Sequence, residues 1–263
     1  MIGTRKQLTL NHQIVSYIEF EANNEAIPIL FLHGWGGSAM SFQALWQELI
    51  NGQIARRLIA IDFPGFGRSP APTQPWNVHA YAECVVKYLD VLHIKQVILV
   101  SHSFGGRVTT KLLYEHPNRV RRVVYIAPAG IRNHEKRIGV ITRLATAMKV
   151  IFELPLLNRL FPTVKKWGYM LIGGHDYLHT SGVMKQTFQN VIAEDLSPVF
   201  ETITQPVKIF WGQHDSYVPV EQSEFMKNKI PHADVRIFGD GRHGIHTTHA
   251  QQIAEDIVAF LAE

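Results

Sequence analysis

Strand patterns alternate with helix patterns along most of this 263-residue sequence, and this alternation limits the fold more than any other feature. The strand patterns lie at residues 27–32, 57–61, 96–100, 122–127, 207–211 and 234–238. The helix patterns lie at residues 39–50, 78–92, 104–114, 220–229 and 250–261. Because apolar strands separated by helices pack into parallel sheets that helices cover on both faces, the sequence predicts an α/β fold.

Two segments depart from this alternation. Two β-type runs flank Asn11 and His12, which predicts an antiparallel hairpin near the start of the chain. Residues 131–199 contain no convincing strand and have the pattern of several helices. We therefore predict a doubly wound, mostly parallel sheet with an N-terminal antiparallel hairpin. Residues 1–130 and 200–263 would form its core domain, and residues 131–199 a helical lid inserted into that core.

Composition and charge narrow the class of protein. Hydrophobic residues make up 46% and charged residues 18% of the chain, which is typical of a globular domain. No apolar stretch has the length of a membrane span, the first residues lack a signal-peptide pattern, and Cys84 has no second cysteine to pair with. We expect a cytoplasmic protein with a small-molecule substrate, no nucleic-acid partner and no stable membrane insertion. The sequence leaves a homodimer open.

One serine lies where a strand pattern runs into a helix pattern, within SHSFGG at residues 101–106. A serine at a sharp strand-to-helix turn is held in a strained backbone conformation that lifts its hydroxyl above the sheet. The two glycines that follow let the strand and the helix approach closely, although Ser101 stands where the G-x-S-x-G pattern has glycine. Ser103 is therefore the candidate nucleophile, and a glycine-rich helix start without catalysis is the alternative.

Two glycine-rich turns follow earlier strand patterns. HGWGGS, at residues 33–38, exposes backbone N–H groups, and the N–H groups of Trp35 and Phe104 are the candidate donors of an oxyanion hole. An ordinary helix N-cap at Ser38 is the alternative interpretation of this turn. DFPGFGRS, at residues 62–69, has the glycines and proline of a tight turn and is interpreted as a structural loop near the site.

A carboxylate and a histidine follow the last two strand patterns. Asp215 ends the motif GQHD, and His243 lies in the motif GRHG. Because the carboxyl ends of parallel strands meet at one edge of a sheet, we expect Asp215 to orient His243, and His243 to take a proton from Ser103. Asp215 as a turn former and His246 as the base are the alternatives. The chain order serine, aspartate, histidine is the order expected for this fold.

Taken together, HGWGGS, DFPGFGRS, SHSFGG, GQHD and GRHG resemble, in this order, the lidded α/β-hydrolase superfamily over essentially the whole chain. The resemblance implies Ser103 as nucleophile, Asp215 as acid, His243 as base, and the backbone N–H groups of Trp35 and Phe104 as oxyanion donors. It also implies a lid that shapes the substrate site. The joint pattern is specific for the fold and for these three side chains, and unspecific for the substrate.

Arg107 lies four residues after Ser103, directly behind the glycine pair. A resembling lyase that makes a menaquinone precursor has an arginine at the matching place. Arg107 is therefore a candidate contact for an anionic substrate group. The alternative is a structural arginine that pairs with a carboxylate on a neighbouring element.

Histidine spacing raises a metal site as a rival interpretation. His243, His246 and His249 are three residues apart, and His175 and His179 lie four apart in the predicted lid. Zinc sites usually have a fuller ligand set with supporting hydrogen bonds. We therefore predict neither a metal nor a cofactor.

Ser103, Asp215 and His243 predict a carboxylesterase-like hydrolase that cleaves a small ester or related acyl substrate through an acyl-enzyme. One alternative is a C–C bond hydrolase, or a lyase of the menaquinone-precursor type, that uses the same three side chains. The other alternative is a non-catalytic ligand-binding or receptor protein of the same fold.

Overall fold

The computed structural model describes residues 3–22, 26–131 and 181–262. Within these residues, one eight-stranded sheet forms the centre of the fold. Its strands are β1 (Thr4–Leu10), β2 (Gln13–Phe20), β3 (Ile29–Leu32), β4 (Leu58–Ile61), β5 (Val97–His102), β6 (Val120–Ile126), β7 (Val207–Gly212) and β8 (Ala233–Phe238). Their bounds differ from the predicted ones by a few residues at most, because the apolar runs that define the strands are also the buried parts of the sheet.

The sheet is mostly parallel. Its strand order is β1-β2-β4-β3-β5-β6-β7-β8. β2 runs antiparallel to both β1 and β4, whereas the pairs from β4 to β8 are parallel. Asn11 and His12 form the turn between β1 and β2 with φ angles of 46° and 72°, the left-handed values that a two-residue type I′ turn requires. The predicted hairpin and the predicted mostly parallel sheet are both confirmed.

Helices cover both faces of the sheet. They are α1 (Gln43–Asn51), α2 (Val78–Val91), α3 (Phe104–Glu115), α4 (Gly182–Ala193), α5 (Glu221–Lys229), α6 (Ile245–Thr248) and α7 (Ala250–Ala262). A short 3-10 turn, Ala39–Phe42, precedes α1, so the helix predicted over residues 39–50 begins as a tighter turn. No helix within the described ranges combines the length and the apolar character that crossing a membrane requires.

Alternate side chains of β5 enter two separate hydrophobic clusters. Leu99 is buried in the cluster that contains Tyr81 of α2. Val100, its neighbour in sequence, is buried in the cluster that contains Leu45 of α1 and Ile257 of α7. Because successive side chains of a strand point to opposite faces, both faces of β5 are covered, as in a doubly wound sheet.

Most of the predicted lid, residues 132–180, lies outside the described residues. The described remainder of the lid segment begins with α4. The ring of Phe188 on α4 lies 4.9 Å from the ring of Trp35, so this helix packs against the turn that follows β3. The boundaries of the lid stay a prediction.

Gly105, near the start of α3, lies against the end of β3. A Cβ atom added to Gly105 would lie 2.6 Å from the carbonyl carbon of Leu32 and would overlap its carbonyl oxygen. Both clashing atoms are backbone atoms of a fully buried strand, so they cannot move aside without displacing the sheet. The close approach predicted for this glycine is present in the structure.

Gly105→Ala is therefore expected to lower the free energy of unfolding by about 3 kcal/mol, the scale of overpacking in a core. Gly239→Ala is the matched control, because a Cβ atom there meets nothing within 4 Å. Urea unfolding followed by circular dichroism measures both. Equal stability of the two variants would contradict the proposed close packing of α3 on β3.

Candidate active site

Ser103 occupies the turn between β5 and α3. Its φ of 50° and ψ of −111° lie outside the regions that a residue with a side chain readily adopts. Hydrogen bonds hold this backbone in place: Ser103 N–H donates to the carbonyl of Ile126 at 3.2 Å, and Gly106 N–H donates to the carbonyl of Ser103 at 2.9 Å. The structure therefore places Ser103 at a strained strand-to-helix turn, at the carboxyl end of a central strand.

Asp215 and His243 are hydrogen-bonded to each other. His243 Nδ1 lies 2.7 Å from Asp215 Oδ2, and the Asp215 side chain is completely buried. The other carboxylate oxygen accepts the backbone N–H groups of Tyr217 and Val218, both at 2.8 Å. A carboxylate can only accept, so His243 donates from Nδ1 and its Nε2 keeps a lone pair. Such a ring can take up a proton at Nε2.

His102 links the serine turn to the histidine loop. Its Nε2 lies 3.0 Å from the backbone carbonyl of His243 and donates to it. The rings of His102 and His243 are 4.7 Å apart. His102 directly precedes Ser103, and a Cβ atom added to Gly34 would lie 3.3 Å from the Cβ of Ser103. The ends of β3, β5, β7 and β8 thus bring the three predicted side chains to one edge of the sheet.

The other histidines of this region have different partners. His246 is buried with its ring 4.1 Å from the ring of His102, and its Nδ1 has no hydrogen-bond partner among the described residues. His249 Nε2 lies 3.0 Å from Asp240 Oδ1. Within the described ranges, His243, His246 and His249 do not gather their nitrogen atoms around one point. His175 and His179 lie outside the described residues.

The two predicted oxyanion donors are neighbours. The rings of Trp35 and Phe104 lie 5.3 Å apart, edge to face. Phe104 is the first residue of α3, so its backbone N–H has no acceptor within the helix and lies at the positive end of the helix dipole. No backbone acceptor for the Trp35 N–H is found in the described part of the chain. An oxyanion role of the two N–H groups stays a prediction.

Arg107 is buried and donates to the main chain of the segment that ends α4. Its Nη1 lies 3.2 Å from the carbonyl oxygen of Val191 and 2.8 Å from that of Glu194. Burial lowers the pKa of Arg107 to about 10, and the nearby carboxylates of Glu194 and Asp195 act against that shift. These contacts hold α4 to α3 and support the structural alternative, with main-chain carbonyls rather than a carboxylate as hydrogen-bond partners. An anionic substrate contact stays a prediction.

Asp62, in the turn interpreted as structural, joins three segments around the site. Its fully buried carboxylate accepts from Arg5 Nη1 at 2.7 Å, from Ala39 N–H at 2.6 Å and from Arg68 N–H at 2.9 Å. Arg5 lies on β1, Ala39 is the first residue of the 3-10 turn before α1, and Arg68 lies in the loop after β4. The contacts explain how the HGWGGS and DFPGFGRS turns keep their relative positions.

Two residues that the sequence did not single out contact His243. Tyr217 is half exposed, and its ring stacks on the ring of His243 with 5.0 Å between centroids and 25° between planes. His102 touches it from the β5 side. The only sequence signal for these two residues is their position: Tyr217 lies two residues after Asp215, and His102 directly precedes Ser103.

Three buried histidines near the site are expected to make stability depend on pH. Burial lowers the pKa of His33 and His246 to about 4, and lowers that of His102 well below its ordinary range. Phe63 N–H donates to His33 Nε2 at 3.0 Å, so neutral His33 donates from Nδ1 to the carbonyl of Gly34. In the unfolded chain these rings take up a proton near pH 6.5. In the folded protein they stay neutral until the pH falls further.

Their contribution to stability is therefore complete above about pH 6.5 and is lost as the pH falls towards about 4. Each ring contributes up to about 1.4 kcal/mol per pH unit in that window. Urea unfolding at several pH values measures how the free energy of unfolding changes with pH. His246→Leu should reduce this slope by the equivalent of one bound proton. His232→Leu, at an exposed histidine, is the control and should keep the slope of the wild type. An unchanged slope in His246→Leu would contradict this account.

The fold and this site are features of one protein family, and a comparison with family sequences identifies it. The sequence pattern of the α/β hydrolase fold family matches residues 27–164, just over half of the chain. The chain therefore belongs to the α/β hydrolase fold family.

Curated relatives include proteins named as hydrolases. A 2-hydroxymuconate semialdehyde hydrolase of Pseudomonas sp. (strain CF600) is 26% identical over 251 residues, which cover 90% of this chain and 87% of the relative. An sn-1-specific diacylglycerol lipase of Danio rerio is 24% identical over 276 residues, which cover 98% of this chain and 86% of the relative. Among solved structures, the enol-lactonase from Burkholderia xenovorans LB400 has the same fold, with a TM-score of 0.74, 20% identity, and coverage of 98% of this chain and 100% of that chain. The two curated relatives support a hydrolase, and the solved structure shows the shared fold.

Proposed function

We propose that the protein is a serine hydrolase that cleaves a small ester or related acyl substrate through an acyl-enzyme. One observation carries the proposal: His243 is hydrogen-bonded at 2.7 Å to the buried carboxylate of Asp215, at the sheet edge where Ser103 occupies a strained turn. Nucleophilic acyl transfer needs an imidazole that a carboxylate orients and a serine hydroxyl beside it.

In the first half of the proposed reaction, Ser103 Oγ bonds to the acyl carbon while His243 Nε2 takes the hydroxyl proton. The backbone N–H groups of Trp35 and Phe104 stabilise the negative charge that develops on the carbonyl oxygen. His243 then gives the proton to the leaving alcohol as the C–O bond breaks. A water molecule, deprotonated by His243, releases the acid and restores Ser103. This chemistry uses neither a metal nor a cofactor.

Aromatic rings beside the serine turn favour an uncharged, apolar substrate portion. The Trp35 ring packs edge to face against the rings of Phe66, Phe104 and Phe188, at 4.8, 5.3 and 4.9 Å. The buried cation nearest to this turn in sequence, Arg107, is engaged with main-chain carbonyls. A site of apolar rings with few polar groups is typical of small-molecule pockets.

A second candidate is hydrolysis of a C–C bond by the same three side chains. The specific observation in its favour is the similarity to the 2-hydroxymuconate semialdehyde hydrolase, whose named substrate is a semialdehyde and not an ester. Turnover of a diketone substrate together with failure to cleave p-nitrophenyl esters would favour this candidate over the esterase.

Reaction with a fluorophosphonate probe tests the proposed nucleophile, and mass spectrometry locates the label. We expect one label on Ser103, which competing p-nitrophenyl acetate should suppress. A panel of p-nitrophenyl esters from acetate to decanoate then measures the preferred acyl length. Absence of labelling, or labelling at another serine, would overturn the proposal. Single-turnover hydrolysis with retained product would instead support a ligand-binding protein of this fold.

A further inference from the structure

Two histidines and two glutamates lie together where the start of α2 meets the end of α3. His79 and Glu83 are one helical turn apart on α2, so they share one face of that helix. Glu115 is the last residue of α3, and His116 follows it directly. We call these four residues the α2–α3 cluster. None of them is among the described contacts of the candidate active site.

Potential ligand atoms of the cluster are already close to one another. His79 Nδ1 lies 3.0 and 2.9 Å from the two carboxylate oxygens of Glu115, and His116 Nε2 lies 2.6 Å from Glu83 Oε1. One ligand atom each of His79, Glu83 and Glu115 lies within 4.8 Å of the other two. Ligands bound tetrahedrally to a zinc ion sit about 3.3–3.5 Å apart, so small side-chain rotations suffice to close the site.

Charge at the cluster favours a cation. Lys111 forms two ion pairs here: its Nζ lies 3.5 Å from a carboxylate oxygen of Glu115 and 2.8 Å from one of Glu194. The carboxylates of Glu83, Glu115 and Glu194 lie in this region, and the lysine and arginine groups recorded against them among the described residues are Lys111 and Arg107, so three carboxylates outnumber two cations. The His79 side chain is 54% exposed, so an ion can reach the cluster from solvent.

We propose that the α2–α3 cluster binds a divalent transition-metal ion of the zinc class. His79 supplies a nitrogen ligand and Glu83 and Glu115 supply oxygen ligands, while His116 or a water molecule completes the coordination. A mixed imidazole and carboxylate set suits zinc, whereas calcium and magnesium take oxygen ligands. The bound ion ties the start of α2 to the end of α3 and takes no part in the chemistry proposed for Ser103.

Titration of the tag-free full chain with zinc chloride tests this site by calorimetry and by thermal unfolding. In the wild type we expect a rise in Tm on zinc addition, because an ion that binds only the folded chain stabilises it. His79→Gln and Glu115→Gln should bind zinc at least about tenfold more weakly and lose most of that rise. His232→Gln, at an exposed histidine outside the cluster, should retain both.

Any zinc binding by histidines that the wild type, His79→Gln and Glu115→Gln share contributes equally to these three proteins, and His232→Gln measures the effect of removing one histidine outside the cluster. Without zinc, circular dichroism and fluorophosphonate labelling should be the same in the wild type and both cluster variants. Failure of the serine chemistry would therefore leave this test intact. Equal zinc affinity and an equal rise in Tm in the wild type, His79→Gln and Glu115→Gln would overturn the proposal.

Discussion

Ser103→Ala is expected to lower kcat for a p-nitrophenyl ester by about 10⁵- to 10⁶-fold, the loss typical of removing a serine nucleophile. Without the hydroxyl no acyl-enzyme can form, and only binding and the oxyanion donors remain to accelerate attack by water. The fold should survive, because the Ser103 side chain does not cap α3. Steady-state kinetics with stopped-flow detection measures kcat, and thermal unfolding checks the fold.

Ser101→Ala is the matched control for this experiment. Ser101 lies two residues earlier on β5, it is fully buried, and its hydroxyl has no hydrogen-bond partner among the described residues. Loss of an unpaired buried hydroxyl costs little or stabilises the fold, so Ser101→Ala should keep near wild-type kcat. Ser103→Ala activity within tenfold of the wild type would remove Ser103 from the proposed mechanism.

The sheet could be predicted from the sequence because burial and hydropathy coincide in it. All four residues of β3 are buried, and the sequence there is an unbroken apolar run. The hairpin turn was predictable in place but not in conformation, since His12 stands where the sequence signal for a type I′ turn has glycine. The 3-10 turn before α1 was missed, because apolar spacing over a few residues does not separate a 3-10 turn from an α-helix.

The order of the site residues along the chain could be predicted because each follows a strand end. Parallel strands bring those ends to one edge, so Asp215 and His243 meet although 28 residues separate them. The partners of Arg107 could not be predicted, because they are carbonyl oxygens more than 80 residues away in the segment that ends α4. Every residue has a main-chain carbonyl, so residue type does not indicate which carbonyl accepts a hydrogen bond.

Contacts between side chains of neighbouring loops could not be predicted from the sequence either. The stacking of Tyr217 on His243 depends on the loop after β7 folding back, which the two backbone hydrogen bonds to Asp215 enforce. An aspartate two residues before a tyrosine is too common a pattern to predict it. The role of Asp62 was hidden in the same way, because Arg5 reaches it from 57 residues earlier in the chain.

Asp215→Asn is expected to lower kcat by about 10⁴-fold while leaving Ser103 and His243 in place. The amide oxygen of asparagine can still accept the N–H groups of Tyr217 and Val218, which hold the native carboxylate at 2.8 Å. The amide NH₂ would then face His243 Nδ1 and donate to it. That contact forces the imidazole proton onto Nε2, the atom that must accept the proton of Ser103.

Asp240→Asn is the matched control for the carboxylate, because Asp240 also pairs with a histidine, His249, at 3.0 Å but lies exposed on the surface. We expect its kcat to equal that of the wild type. Steady-state kinetics on the same p-nitrophenyl ester and thermal unfolding of each variant separate lost chemistry from lost folding. A folded Asp215→Asn protein that retains more than a tenth of the wild-type kcat would show that the buried carboxylate does not set the proton position on His243, and Asp215 would drop out of the proposed mechanism.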